Sequence, residues 1–273
     1  MSGVGGIGGS ARRIGAIVMR HFYLIRGSWA RILDLFYWPM VQVLLWGFIS
    51  QFIASSGVTG LLAQAASVLL SAALLWEIMF RSQISLNMSF LEELWSRNLG
   101  HLMVSPLRPW EYAVSLFATS LVRTIIGFLP ASLFAAVYFD VSVYDMGLAF
   151  FLFFLNLVIM GWGIGIALAG IVLRVGMGAE GLIWAFVFAL APLSGIYYPV
   201  TILPDWCQAI SAVLPSAQVF EGMRAILLDG VIRYDLLARA AGLNILYLAG
   251  GLAAFLLGDR LSRKSGRLMQ LGE

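Results

Sequence analysis

Long apolar segments alternate with short polar ones along almost the whole chain. Six segments are nearly free of charge, and the stretches between them carry most of the charged side chains. A helix of about 20 apolar residues is long enough to cross the hydrocarbon core of a bilayer. The pattern therefore predicts an all-α, polytopic membrane protein whose six transmembrane helices occupy residues 34–54, 61–82, 112–138, 147–173, 181–200 and 238–258.

The composition supports this class and excludes several others. Hydrophobic residues make up 61% of the 273 positions, charged residues make up 11%, and the mean hydropathy is +0.91. A soluble domain of this length has too little interior to hide so much apolar surface from water. Cys207 is the only cysteine, so an intramolecular disulfide and a cysteine-rich metal site are excluded. No cluster of histidines or carboxylates suggests a metal site.

The N-terminal region changes character after a glycine-rich start. Residues 1–10 are typical of a flexible tail. In residues 12–33 the apolar side chains recur every three or four positions, which places them on one helix face. Arg13, Arg20 and Arg31 fall on the opposite face. This pattern is typical of a helix in the headgroup plane, the alternative being an amphipathic helix packed on protein.

These boundaries divide the chain into three parts. Residues 1–33 form a cytoplasmic tail with the interfacial helix, residues 34–260 form the six-span domain, and residues 261–273 form a basic cytoplasmic tail. Arginine and lysine are enriched in the cytoplasmic loops of membrane proteins. Because both ends of the chain and the second loop are rich in arginine, we expect both termini in the cytoplasm. Since basic residues cluster at membrane boundaries, the net charge of +3 does not indicate nucleic-acid binding.

The inner loop, residues 83–111, contains a short amphipathic segment. Leu91, Leu94, Trp95, Leu99 and Leu102 are spaced as one helical face, with acidic and basic residues around it. The proline at position 106 disfavours helix at the preceding residue, so the helix should stop there. The apolar face needs a surface to cover, which is either a partner protein or the ends of neighbouring spans.

The outer region, residues 201–236, is apolar but interrupted. Asp205 follows a proline and is a plausible helix start, and Pro215 divides the segment into two helices too short to span. We interpret it as a re-entrant hairpin, since irregular backbone at membrane depth must be buried in protein or line a wet cavity. A surface pair in the outer headgroups is the alternative. Glu221 and Arg224 are three residues apart and can pair.

Few charges lie inside the spans. Arg123 is the deepest, and it either pairs with a carboxylate, contacts an anionic substrate group or extends to an interface. Glu77 and Arg81 are four residues apart, so a structural ion pair is expected. The candidates for the substrate path are Arg123, Glu221 and Arg224.

Two stretches carry a resemblance to a known family. Residues 92–107 resemble the inner loop of ABC exporter permeases of the type-2 family, where a charged helix leads into a Leu-Leu-Val-small-Pro ending. Here that ending reads LMVSPL, from Leu102 to Leu107. The outer stretch is similar to the region before the last span of that family, and the residues that match are Tyr198-Pro199, Leu203 through Trp206, Leu214-Pro215 and Glu221 to Arg224.

The resemblance implies a transmembrane subunit of an ATP-driven exporter in the plasma (inner) membrane of a bacterium. In that family two permease chains line one path, and the inner-loop helix, called the coupling helix, seats on one of two separate ATPase subunits. ATP and Mg would bind those subunits, because this chain has no GxxxxGK[S/T] loop. The resemblance implies an amphipathic or lipid-linked substrate. The candidates for ATPase contact are Glu92, Glu93, Trp95 and Arg97, and more weakly Arg13 and Arg20.

A second function is a secondary transporter or channel that works without an ATPase. Such proteins hold ionisable residues near the midplane to bind the coupling ion. The predicted spans contain almost no carboxylates, which disfavours this alternative. The partners that the resemblance implies are an ABC-type ATPase and a second copy of the chain, and the apolar spans imply the lipid bilayer.

Overall fold

The computed structural model describes residues 7–55 and 61–265, and helices with short connections account for this part of the chain. The predicted tail ends, residues 1–6 and 266–273, lie outside the described residues. The helices are α1 (Ile7–Arg26), α2 (Trp29–Ser55), α3 (Leu61–Trp95), α4 (Leu99–Val104), α5 (Pro109–Tyr138), α6 (Leu148–Val175), α7 (Gly181–Leu193), α8 (Asp205–Ala212), α9 (Pro215–Asp229) and α10 (Tyr234–Ser265).

Five helices of the described chain are long and apolar enough to cross a membrane: α2, α3, α5, α6 and α10. The predicted fifth span, residues 181–200, is a 13-residue helix, α7, followed by irregular backbone. The helix ends shortly after Pro192, and Gly195 then takes a left-handed conformation with φ +60°. Helix length therefore confirms five of the six predicted spans.

The N-terminal segment is two helices, where the sequence pattern predicts one over residues 12–33. The chain turns at Gly27, and α2 begins at Trp29. The turn is held by Gly27, whose N–H bonds the carbonyl oxygen of Tyr23 at 2.9 Å, and by Arg31, whose Nη1 donates to the carbonyl oxygen of Leu24 at 3.0 Å. These bonds satisfy carbonyl groups that a helix end leaves without intrahelical partners.

Helix α3 continues to Trp95, well past the predicted boundary at residue 82. The polar residues of its second half are buried and bonded, where the sequence suggested a loop. Ser120 of α5 donates to the carbonyl oxygen of Ser82 at 2.6 Å, and Gln83 donates to the carbonyl oxygen of Ile183 at 3.2 Å. Because buried polar groups are tolerated when hydrogen-bonded, a polar run can form the centre of the bundle.

Helices α6 and α10 run parallel and touch backbone to backbone. A Cβ atom on Gly251 would clash with the carbonyl oxygen of Gly163, and one on Gly258 would clash with that of Gly170. Small residues allow this close approach, which is a common way to hold helices together in lipid. Polar bonds fix both ends of the contact: Asn244 donates to Asn156 at 2.8 and 2.9 Å, and Ser262 donates to Leu173.

Gly161, Gly165 and Ala169 are spaced four residues apart in the fourth predicted span, and such a row of small residues predicts the close approach of another helix. Gly161 and Gly165 lie against α3. A Cβ on Gly161 would press on Ser82 and on the carbonyl oxygen of Met79, and one on Gly165 would lie 3.0 Å from the amide of Asn87. The prediction that this row lets another helix approach closely is confirmed. The second glycine face of α6, which meets α10, was not predicted.

The outer region contains two short helices, with starts where the sequence predicts them. Helix α8 begins at Asp205 and α9 begins at Pro215, which occupies the first turn where its missing N–H is harmless. Helix α9 packs on α3, α6 and α10. The position of this pair relative to the bilayer stays a prediction.

Candidate functional site

One end of the bundle gathers most of its ion pairs, and we call it the charged end. It comprises α1, the C-terminal ends of α3 and α10, α4 and the N-terminal end of α5. Arg13 joins α1 to Glu111 of α5, and the ring of Phe255 on α10 lies 6.4 Å from that of Tyr112 on α5. Helix α1 and the C-terminal part of α10 therefore lie at the same end of the bundle.

Arg13 binds Glu111 through two hydrogen bonds. Its Nη2 and Nε atoms lie 2.6 and 2.9 Å from the carboxylate oxygens, and the Glu111 side chain is fully buried. The same carboxylate accepts the backbone N–H of Arg108 at 2.9 Å and so caps α5. Donation of these hydrogen bonds to the Glu111 carboxylate raises the pKa of Arg13 above its ordinary value, which keeps the guanidinium charged.

Arg20 binds Glu93 in the same paired geometry. The two nitrogen–oxygen distances are 2.8 and 2.9 Å, and Asn98 also donates to this carboxylate. His21 adds a ring nitrogen at 3.7 Å from Glu93. Glu93 is fully buried, so its carboxylate holds α1 and the α3–α4 connection together and does not offer a free surface.

Glu92 is shared by two arginines. Arg123 donates to it at 3.1 Å, and the Nε of Arg31 lies 3.7 Å from its other oxygen. Arg123 is thus the deep cation that the sequence indicated, and its carboxylate partner is Glu92 on α3. Of the three outcomes left open for Arg123, pairing with a carboxylate is present, and contact with a substrate group stays a prediction.

The inner-loop segment is not one continuous helix. Helix α3 ends at Trp95, Arg97 adopts φ +55°, and α4 runs from Leu99 to Val104. The prediction of a single helix from Leu91 to a stop at Ser105 is therefore wrong, because the left-handed residue breaks it. Its predicted end is right: Ser105 is extended before the proline.

The exposed surface of this connection is a small knob, which we define by four residues. Trp95, Arg97, His101 and Val104 are exposed, and Val104 retains 88% of its accessible surface. Trp95 and Arg97 were predicted from the sequence, whereas His101 and Val104 were not. The knob presents apolar and basic groups at the charged end, beside the pairs that anchor α1.

Helix α1 turns its arginines inward, towards the bundle. Arg13 and Arg20 reach buried carboxylates, while Met19, Phe22 and Tyr23 on the other side are about half exposed. The exposed side of α1 also carries arginines, so the amphipathic arrangement that the sequence indicates and the placement of α1 in the headgroup plane both stay predictions.

The remaining predicted pairs are present elsewhere in the fold. Glu77 and Arg81 pair within α3 at 3.0 Å and are both buried. Glu221 binds Arg224 at 2.8 Å and also accepts the N–H of Val200 at 2.8 Å. In the described chain Arg123 pairs with Glu92 and Arg224 pairs with Glu221, and the role of these three residues in a substrate path stays a prediction.

Few groups of the described chain could hold a metal ion. No group of three or more histidine, cysteine or acidic side chains comes together in residues 7–55 and 61–265. The buried carboxylates there, Glu77, Glu93, Glu111 and Asp259, each have an arginine partner. Two of these carboxylates, Glu93 and Glu111, join different helices through their arginines, whereas Glu77 and Asp259 pair within their own helix.

Comparison with known proteins gives the family. The model of the ABC-2 type transporter family matches residues 12–228, which extend from α1 to the last turn of α9. No curated protein matches the chain. The matched region covers most of the sequence and includes α4 and the knob. The chain therefore belongs to the ABC-2 type transporter family and is a permease subunit of an ABC transporter, a transport component for which the family implies an ABC ATPase partner.

Proposed function

We propose that this chain is the membrane subunit of an ATP-driven exporter for an amphipathic or lipid-linked substrate. It forms the translocation path with a second copy of itself and binds a separate ATPase subunit through the knob on α4. ATP and Mg bind the ATPase. The observation that carries this proposal is the exposed knob at the charged end, which lies beside ion pairs that join α1, α3 and α5 to one another.

The knob has the properties of a docking element. A short helix with an exposed apolar residue and flanking basic groups can insert into a groove on a partner. Val104 and Trp95 supply the apolar surface, while Arg97 and His101 supply polar contacts. Leu99 on the opposite side of α4 is buried, which fixes the helix to the bundle.

Two ion pairs, formed by residues just before the knob in the chain, give a physical route from the knob to α1 and α5. Glu93 lies two residues before Trp95 and binds Arg20, so a displacement of α4 pulls on α1. Its neighbour Glu92 binds Arg123 in α5. Of the predicted ATPase contacts, Glu92, Glu93, Arg13 and Arg20 thus act as positioning residues, whereas Trp95 and Arg97 are exposed to solvent.

The topology supports a sixth crossing of the bilayer. Helices α6 and α10 are parallel neighbours, since Asn156 meets Asn244 near their starts and Leu173 meets Ser262 near their ends. The connection between parallel helices must return across the bundle. We assign that crossing to residues 176–233, with α7 as its longest apolar helix.

The membrane orientation follows from charge. The charged end carries exposed Arg12, Arg26, Arg97 and Arg108, whereas exposed Asp140 and Asp145 lie beyond the far end of α5. The excess of arginine marks the cytoplasmic side. Both termini then face the cytoplasm, and Glu221 with Arg224 contributes to the outer part of the path.

A secondary transporter needs an ionisable group that is free to bind the coupling ion. Coupling ions are held by ionisable residues near the midplane. Each buried carboxylate in the described chain has an arginine partner already, which weakens this alternative.

Reconstitution tests the proposal directly. Proteoliposomes that contain the purified chain with its ATPase should transport only when ATP is hydrolysed, and those with the chain alone should not transport. Transport by the chain alone along an ion gradient would contradict the proposal.

A further inference from the structure

A cavity of about 530 Å³ lies at the charged end, between the α1–α2 turn, α3 and α5. Its walls are apolar where Ile25, Leu35 and Ile84 contribute, and charged where three arginines and two acids contribute. Such a mixed lining suits an amphiphile, because one part of the ligand can stay apolar while the other is solvated by charge. The charged lining residues are Arg31, Arg81, Arg123, Asp34 and Glu92.

Arg123 has more hydrogen-bond donors than partners. Its guanidinium carries five N–H groups, and its bond to Glu92 uses one of them. The residue retains 5% of its accessible surface, and its Nε has no acceptor within the described residues. Arg31 reaches the same carboxylate at 3.7 Å, so two guanidinium groups share a single acid. A phosphate oxygen would supply the missing acceptor.

Asp34, by contrast, is a hydrogen-bond acceptor that lacks a donor in the part of the chain that the structure describes. It lines the cavity, its side chain is exposed, and within the described chain it has neither an ion pair nor a hydrogen bond. Arg81 is already neutralised by Glu77 at 3.0 Å. The remaining charges, Arg31 and Arg123 against Asp34 and Glu92, cancel each other. The remaining positive and negative charges of the cavity are equal in number. Among the described residues, Arg123 has an N–H without an acceptor, and Asp34 has a carboxylate without a donor. Such a cavity fits a ligand that carries both a positive and a negative group.

We propose that this cavity binds the headgroup of a zwitterionic phospholipid with a primary amine, such as phosphatidylethanolamine. The phosphodiester lies against Arg123 and Arg31, and the ammonium group donates to Asp34. An ammonium with three N–H donors satisfies a carboxylate better than a quaternary ammonium, which has none. The acyl chains follow the apolar wall past Ile25 and Leu35.

This inference extends the proposed function, on which it rests for the amphipathic nature of the cargo, and its test needs no ATPase. The purified chain is placed in mixed-lipid nanodiscs, and bound lipid is quantified by native mass spectrometry. The wild-type chain should retain phosphatidylethanolamine about tenfold more than phosphatidylglycerol or phosphatidylcholine, a ratio that corresponds to one strong polar contact.

The variants separate the two contacts. Asp34→Asn should remove the preference for phosphatidylethanolamine and leave phosphatidylglycerol binding unchanged, whereas Arg31→Gln should weaken both lipids by several-fold. Asp145→Asn makes the same chemical change at an exposed aspartate at the far end and should have no effect. Arg31 and Asp34 are both at least partly exposed, so their variants should fold.

Two results would overturn the inference. The first is the lack of a lipid preference that depends on Asp34. It would be seen as equal retention of the three lipids by the wild-type chain, or as a preference for phosphatidylethanolamine that Asp34→Asn leaves unchanged. The second is full displacement of bound lipid by millimolar inorganic phosphate, which would indicate a simple anion site. Either result leaves the exporter proposal untouched, because ATP-dependent transport is measured separately.

Discussion

Arg20 and Glu93 form a paired contact in which only one partner is shielded from water. The Arg20 side chain keeps 39% of its accessible surface, whereas the Glu93 side chain keeps none. The two residues are 73 positions apart, so their contact ties α1 to the end of α3. A variant that leaves a buried charge without its partner loses more folding stability than a variant that leaves an exposed charge without its partner.

We expect Arg20→Gln to be more destabilising than Glu93→Gln. The first variant leaves a buried carboxylate without its arginine and should lower the free energy of unfolding by about 3 kcal/mol. The second keeps a polar side chain that can bond Asn98 and frees Arg20 to reach water, at a cost of about 1 kcal/mol. Thermal denaturation in detergent measures both, with Arg12→Gln on the exposed side of α1 as the control. Equal losses in the two variants would contradict the asymmetry.

Gly251 and its neighbour Gly250 provide a matched pair for the α6–α10 contact. A methyl group on Gly251 meets the carbonyl oxygen of Gly163, whereas one on Gly250 meets nothing within 4 Å. Gly251→Ala should therefore cost about 1–3 kcal/mol through overpacking, and Gly250→Ala should not destabilise the protein. Resistance to proteolysis in detergent reports the difference. A similar response of the two variants would show that the helices are not in backbone contact.

Arg97 combines a charge with a left-handed backbone, and two substitutions separate these properties. Arg97→Gly keeps the turn, since glycine adopts positive φ without strain, and removes the charge. Arg97→Lys keeps the charge. If Arg97 contacts the ATPase, Arg97→Gly should weaken ATPase association several-fold at unchanged thermal stability, and Arg97→Lys should retain it. Association that Arg97→Gly leaves unaltered would remove Arg97 from the contact.

Glu221 fixes the loop before α8 to α9. Its carboxylate accepts the N–H of Val200 and binds Arg224, whose side chain is largely buried. Glu221→Leu loses both bonds and leaves a buried cation, so we expect a loss of about 3 kcal/mol. Glu221→Gln can still accept from Val200 and should lose less. Unfolding in detergent measures the order, and the reverse order would contradict this role.

Local sequence signals predicted local structure well. The starts of α8 and α9 follow from Asp205 and Pro215, and the end of α4 follows from Pro106, because these residues act on the backbone beside them. The pairs Glu77–Arg81 and Glu221–Arg224 were predicted because both partners lie on one helix turn. The all-helical membrane class followed from the apolar segments alone.

The sequence pattern could not predict contacts between segments that are far apart in the chain. The periodicity of α1 separated its arginines from its apolar residues, but it could not show that Glu93 and Glu111 would receive them. Glu111 was missed altogether. Its position at the third residue of a helix that starts with Pro109 is a capping pattern that could have marked it. The buried second half of α3 was taken for a loop because its polar residues find partners only in the folded bundle.

Association of the ATPase with two matched variants tests the central claim most directly. Val104 on the knob and Val137 at the far end of α5 keep 88% and 87% of their accessible surface, so a Val→Asn change disturbs little packing at either site. The amount of ATPase that co-purifies with the detergent-solubilised chain is the measurement. Val104→Asn should reduce it at least tenfold and Val137→Asn should leave it at the wild-type level. Wild-type association in Val104→Asn, or no ATPase with the unmodified chain, would contradict the account.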